Sequence, residues 1–132
     1  MYKLQAPIYI TIPMTRVKDK NIPLSLSWYR NCHYMVSNKV KRIYEKLMNP
    51  QIIALPMFDR ISISMVYYSR TKQRSDLDNW CSLNNKFFQD CLSKAGKIED
   101  DNYAYVPSIS YSYGGQDLDK KGKILITIKE LK

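Results

Sequence analysis

Residues 61–68 read Ile-Ser-Ile-Ser-Met-Val-Tyr-Tyr. Ile61, Ile63, Met65 and Tyr67 alternate with Ser62, Ser64, Val66 and Tyr68, the period of a β-strand with one core face and one mixed face. The chain must therefore contain a sheet, yet the segments on both sides of this strand have helical period. Over residues 27–48, Tyr29, Cys32, Val36, Val40, Ile43 and Leu47 recur every three or four positions, with Lys39, Arg42 and Lys46 on the other face. Asn49-Pro50 is expected to end that helix. A second helix is expected from an N-cap at Asp78 or Asn79 to about Ala95, stopped by Gly96. Leu77, Trp80, Phe87, Phe88, Cys91, Leu92 and Ala95 share one face of it, and Asn84 interrupts that stripe without any local reason.

Three further strands complete the pattern. Residues 8–12 read as an opening strand between Pro7 and Pro13, and residues 15–27 as a basic loop containing Pro23. Residues 103–113 and 123–130 read as a closing pair joined by a hairpin loop, GGQDLDKKG. The expected order is β-α-β-α-β-β: an α+β fold, helices packed on a small mixed sheet. At 132 residues, without repeats or a linker, residues 1–132 are expected to form one domain.

The charge is not balanced. Lys and Arg number 21 against 12 Asp and Glu, a net charge of +9. It is concentrated in Arg16/Lys18/Lys20, Lys39/Lys41/Arg42, Arg70/Lys72/Arg74 and Lys120/Lys121/Lys123. Such clustering points to a polyanion, most often nucleic acid, although a merely solvated basic surface would show the same composition. Cys32, Cys81 and Cys91 are odd in number and never in a C-x-x-C pair, which suits free thiols in a reducing compartment. The single His33 leaves too few ligands for a structural zinc site. No apolar run is long enough to span a membrane, and the alternating, proline-broken start does not read as a signal peptide.

Two acidic groups stand out against this background. In QRSDLDNW, Asp76 and Asp78 follow the basic 70–74 run directly, and Glu99-Asp100-Asp101 follow the second helix. On a helix, positions i and i+2 lie about 200° apart, so the first pair can share an ion only if Asp76 precedes the helix in extended backbone. Carboxylates from two segments amid cations suit one or two Mg²⁺ ions, which keep waters for a substrate phosphate. By spacing alone, capping at Asp78 and a turn at residues 99–101 account for the same residues.

DLDN, Lys86, Asp90, LSKAG to Gly96 and IEDD to Asp101 together resemble the RusA family of Holliday junction resolvases. YITIPM, the 61–68 strand leading into a basic run, and GKILITIKE resemble that family's opening, central and closing strands. The resemblance implies a small dimeric endonuclease, often phage-borne, that needs Mg²⁺ (or Mn²⁺) and cuts four-way DNA junctions symmetrically in a bacterial cytoplasm. It implies that Asp76, Asp78 and Asp101 are the catalytic metal ligands, with Asp100 beside them and Asn79 as cap or orienting group. Arg70, Lys72 and Arg74, with Arg16 and Lys18, would contact DNA. The family's lysine falls at Ser82 when counted forward from DLDN, whereas counting back from Gly96 and Asp101 selects Lys86. Lys72 and Arg74 are the alternatives for that role.

A helix over residues 78–95 would be about 27 Å long, and the six residues on to Asp101 reach at most about 20 Å. Asp101 is therefore expected to meet the acid pair of a partner in a two-fold homodimer. Two other functions remain open: a non-catalytic module binding branched or single-stranded DNA, where some of the eleven tyrosines stack on bases, and a nuclease for another target.

Overall fold

The computed structural model describes the whole chain, Met1–Lys132, in nine elements. In chain order these are β1 (Tyr2–Ala6), β2 (Tyr9–Ile12), β3 (Lys20–Pro23), α1 (Leu26–Asn31), α2 (Tyr34–Ile53), β4 (Ile61–Ser69), α3 (Leu77–Lys94), β5 (Ser108–Gln116) and β6 (Lys123–Glu130). The main sheet has the order β1-β6-β4-β5. β6 is antiparallel to both β1 and β4, while β5 runs parallel to β4. The fold is α+β with a mixed sheet, as the alternating and helical segments imply.

β4 keeps the expected parity: Ile61, Ile63, Met65 and Tyr67 are buried. Ile124, Ile126 and Ile128 of β6 lie beside them in register, and Val40, Tyr44, Met48, Ile52, Phe87, Phe88 and Leu92 from the two long helices complete one core. Burial of each such side chain stabilises the fold by about 1.5–3 kcal/mol.

Several boundaries differ from expectation, each for a physical reason. The opening strand is split at Pro7: β1 joins the main sheet, and β2 turns away to pair with β3 in a separate hairpin. The supposed basic loop thus contains a strand, and Pro23 lies at its end, where a missing N–H is tolerated. The first long helix breaks at Cys32. Ser25 caps α1 by accepting the Trp28 N–H, and His33 caps α2 by accepting the Met35 N–H through Nδ1. α2 continues through Pro50 to Ile53. Pro50 removes only a bond to the exposed Lys46, whose carbonyl water can serve. The buried stripe of α2 is Val40, Tyr44, Met48 and Ile52, so Leu47 faces solvent.

The last two strands do not form a hairpin, because β4 lies between them. β5 starts at Ser108, and Tyr103 lies in an exposed turn before it. α3 ends as expected, with Gly96 in the left-handed region at φ +71°. Asn84, in the apolar stripe, donates to the Pro7 carbonyl at 2.7 Å and accepts from the Tyr44 hydroxyl at 2.6 Å. It pins the β1–β2 turn to both long helices. No helix is long and apolar enough to cross a membrane.

Candidate nucleic-acid interface and acid pair

Parallel pairing of β4 and β5 brings their C-terminal ends to one edge, with Ser69 opposite Gln116. The Asp117 N–H donates to the Ser69 carbonyl at 2.8 Å, and Gln116 Nε2 donates to the Arg70 carbonyl at 3.1 Å. Residues 70–76, leading into α3, therefore run beside residues 117–122, leading into β6. Arg70 lies with its guanidinium 5.4 Å from the centre of the Tyr9 ring. Around it open three adjoining depressions. One of about 700 Å³ is lined by Arg70, Lys120, Lys121 and Lys123. The next, about 610 Å³, lies among Arg70, Lys72, Gln116 and Lys120. A third, about 450 Å³, lies among Tyr9, Arg70, Arg74, Asn79 and Trp80. Together they form a basic trough.

Arg70, Lys72 and Arg74 thus line adjoining depressions, while Arg16 and Lys18 sit on the exposed tip between β2 and β3. The hairpin's stem, through Thr11 and Asn21, forms one wall of the largest depression. The lysines at 120, 121 and 123 were legible as charge. Their place beside Arg70 was not, because it depends on the parallel pairing.

The acid pair opens α3. Asp76, not Asp78 or Asn79, is the N-cap: its backbone is extended (φ −80°, ψ 152°) and its Oδ1 accepts the Asn79 N–H at 2.7 Å. Asp78 lies in the first turn, where the helix N-terminus favours a negative charge, and both acids are exposed. The extended-then-helical backbone meets the geometric condition for the two carboxylates to share an ion. Asp76 and Asp78 flank Ser75 and Asn79, which line the third depression, and two exposed carboxylates are a donor set that Mg²⁺ accepts, since that ion commonly takes one or two carboxylates with waters and phosphate oxygens.

Asn79 acts through its side chain elsewhere. Its Oδ1 accepts from Ser27 N at 3.1 Å and Ser27 Oγ at 3.0 Å, tying α1 to α3. Lys86 is seven residues further, on the same side of α3, and it donates to the Tyr29 hydroxyl at 3.1 Å with Nζ 5.0 Å from that ring's centre. It is exposed, and two turns beyond Asp78. Ser82 Oγ donates to the Asp78 backbone carbonyl at 2.7 Å.

Asp101 lies elsewhere. The Lys97 carbonyl accepts the Phe58 N–H and the Tyr105 carbonyl accepts the Ile61 N–H, so residues 97–105 are fastened at the N-terminal end of β4. The acid pair follows its C-terminal end, and the nine residues of β4 span about 30 Å. No three His, Cys, Asp or Glu side chains of the chain gather to hold a metal. Asp100 accepts the Asp101 N–H at 2.8 Å and an Asn102 side-chain N–H at 3.1 Å. The bond from the Asp101 backbone, then one with the Asp101 side chain and then that from Asn102, hold its carboxyl below the usual range. Asp101 is pushed above that range, first by partial desolvation and then by its hydrogen bond to Asp100 and the charge there. Asp90 is in an ion pair with Lys41 at 2.7 Å.

Two of the three cysteines, Cys81 and Cys91, are buried thiols. Burial, then the charge of Asp78, pushes the Cys81 thiol up to about 12; burial, then Glu45 and Asp90, does the same to Cys91. No protein-family model and no curated protein matches this chain.

Proposed function

We propose that the chain is a Mg²⁺-dependent endodeoxyribonuclease of the RusA type, resolving four-way DNA junctions by paired nicks during phage or bacterial recombination. The observation that carries this reading is the exposed Asp76/Asp78 pair opening α3 directly behind Arg70, Lys72 and Arg74, beside the basic trough. In this mechanism the three cations hold backbone phosphates and neutralise their charge. Asp76, oriented by the Asn79 N–H, and Asp78 present carboxylate oxygens at the scissile phosphate. A bound Mg²⁺ would supply Lewis acidity there and lower the pKa of the attacking water. Lys86 is assigned the positive charge that balances the transition state. The test is incubation with labelled four-way junction, linear duplex and single strand, each with Mg²⁺ and with EDTA. Paired, ligatable nicks in the junction with Mg²⁺ alone are expected.

Symmetric cutting needs two sites related by a two-fold axis, and within one chain Asp101 sits at the far end of β4 from the acid pair. The proposal is therefore a homodimer in which Asp101 of one chain completes the Asp76/Asp78 site of the other. Mixing inactive Asp76→Asn and Asp101→Asn proteins is expected to restore nicking of one strand per heterodimer. With subunit exchange verified, absence of any recovered nicking would rule out a shared site.

The lysine assignment has its own test. Lys86→Ala is expected to lower the single-turnover rate at least tenfold, about 1.4 kcal/mol of barrier, without weakening junction binding. A purely structural role through the exposed Tyr29 contact predicts an unchanged rate, and Lys72 or Arg74 would then be the residue to replace.

A second reading rests on the basic trough alone. It is a non-catalytic module that grips branched or single-stranded DNA in the trough. Binding without cleavage in either Mg²⁺ or Mn²⁺ is its signature.

A further inference from the structure

The loop joining β5 to β6 is constructed around Asp117. That side chain, 5% exposed, accepts the Gly122 N–H at 3.0 Å and the Asp119 N–H at 3.4 Å, and lies 3.5 Å from the Lys123 ammonium. Burial raises its carboxyl, but the Gly122 and Asp119 bonds with the Lys123 charge outweigh that and hold it below the usual range. Asp117 is thereby kept charged and internally neutralised. Gly122, at φ +81°, is pressed so closely on Ile8 that a Cβ would collide with Ile8 Cδ1. Lys120 is held at φ +56°, a left-handed conformation that asparagine or glycine would adopt more easily, by its N–H bond to the Asp117 carbonyl at 3.0 Å.

Lys123 is occupied, by Asp117 and by the face of the Tyr68 ring at 5.4 Å. Lys120 and Lys121 are exposed, make no ion pair and line the largest depression with Arg70, against the single exposed acid Asp119. Each of the three depressions is large enough for a nucleotide-sized group, and all share Arg70. Adjoining spaces around Arg70, two of them lined by flexible lysines, suit successive phosphates of a polymer better than one small anion, for which bidentate or enclosed contacts are usual.

We infer that residues 117–123 form a second DNA-backbone wall, so that a strand in the trough lies between Arg70 and Lys72 on one side and Lys120 and Lys121 on the other. The inference rests on the proposed DNA partner and is independent of metal and of cleavage.

The experiment measures binding of labelled four-way junction, duplex and single strand in EDTA across a salt series. The variant is Lys120→Gly/Lys121→Ala, where glycine accepts the left-handed position without strain. Lys121→Ala alone, in ordinary backbone, guards against a folding defect, and thermal melts check both. The expected result is a log K against log[salt] slope shallower by about 1–2 for the double variant and about 1 for the single, with affinity about fivefold or more lower at low salt. Lys129→Ala, at the opposite end of β6, should match wild type. If both loop variants keep wild-type slope and affinity while Arg70→Ala/Lys72→Ala loses them, the loop has no part in binding and the inference is overturned. If the wild-type protein binds none of the three DNAs, the DNA reading itself falls, and this inference with it.

Discussion

Asp78→Asn and Asp76→Asn are each expected to abolish junction cleavage, by on the order of a thousandfold or about 4 kcal/mol of barrier, while junction affinity stays level or rises. The amide keeps the shape of the carboxylate but loses the charge that a hard cation requires. It also removes negative charge facing DNA phosphates, which is why binding should not suffer. The structure makes Asp76→Asn a clean test. Asp76 caps α3 through Oδ1, and asparagine is as good an N-cap as aspartate, so the helix start should survive. Asp76→Ala, in contrast, would add a capping loss of about 1 kcal/mol and confuse stability with chemistry. Single-turnover cleavage with Mg²⁺ and binding in EDTA separate the two effects. A well-folded Asp76→Asn protein that loses binding and cutting together would remove these residues from the metal-ligand role.

Asn84→Ala is expected to destabilise the fold by about 3 kcal/mol, the largest loss among single polar replacements. Asn84 and Tyr44 are both 0% exposed, and one amide group serves the Tyr44 hydroxyl and the Pro7 carbonyl at once. Truncation leaves the buried Tyr44 hydroxyl with only a long contact to the Asn84 backbone carbonyl at 3.5 Å and removes the donor to the half-buried Pro7 carbonyl, at about 1–3 kcal/mol for a buried group left unpaired. Tyr44→Phe removes only one bond and should cost less than Asn84→Ala. Urea unfolding of both single variants and the double gives the coupling between them. A loss under about 1 kcal/mol for Asn84→Ala would show that this network contributes little. The consequence reaches the proposed interface, because Pro7 and Ile8 line the trough beside Lys121 and Gly122. A loosened β1–β2 turn should weaken DNA binding even at temperatures where the protein stays folded.

The sequence by itself determined the features that depend on neighbours a few residues apart. The Ile61/Ile63/Met65/Tyr67 face, the Phe87/Phe88/Cys91/Leu92 part of the α3 stripe and the Gly96 stop are periodicities or backbone preferences that the structure shows, whereas Ala95 is exposed and Cys81 and Leu83 are buried in its place. The acid pair and its basic approach were also legible, since Asp76 through Asp78 form a local motif. Even there the cap, expected at Asp78 or Asn79, lay two or three residues earlier, because Asp76 can bond the Asn79 N–H as well as any later residue could cap.

Only the tertiary structure decided which distant segments meet. GGQDLDKKG looks like a hairpin loop, but β6 gains an apolar partner on each side by pairing with β1 and β4, and β5 is left parallel to β4 at the edge. That choice places Lys120 and Lys121 beside Arg70. It follows from burial of Ile124, Ile126 and Ile128 in the middle of a sheet rather than from anything within the loop. Likewise, Asn84 is inexplicable along α3 and obvious once Pro7 and Tyr44 are packed against it. Asp101 matched the acid pair as a sequence pattern, yet β4 holds the two at opposite ends. Local pattern specifies elements through short-range sterics and period; which elements become neighbours is settled by the long-range burial that satisfies every strand and every buried polar atom together.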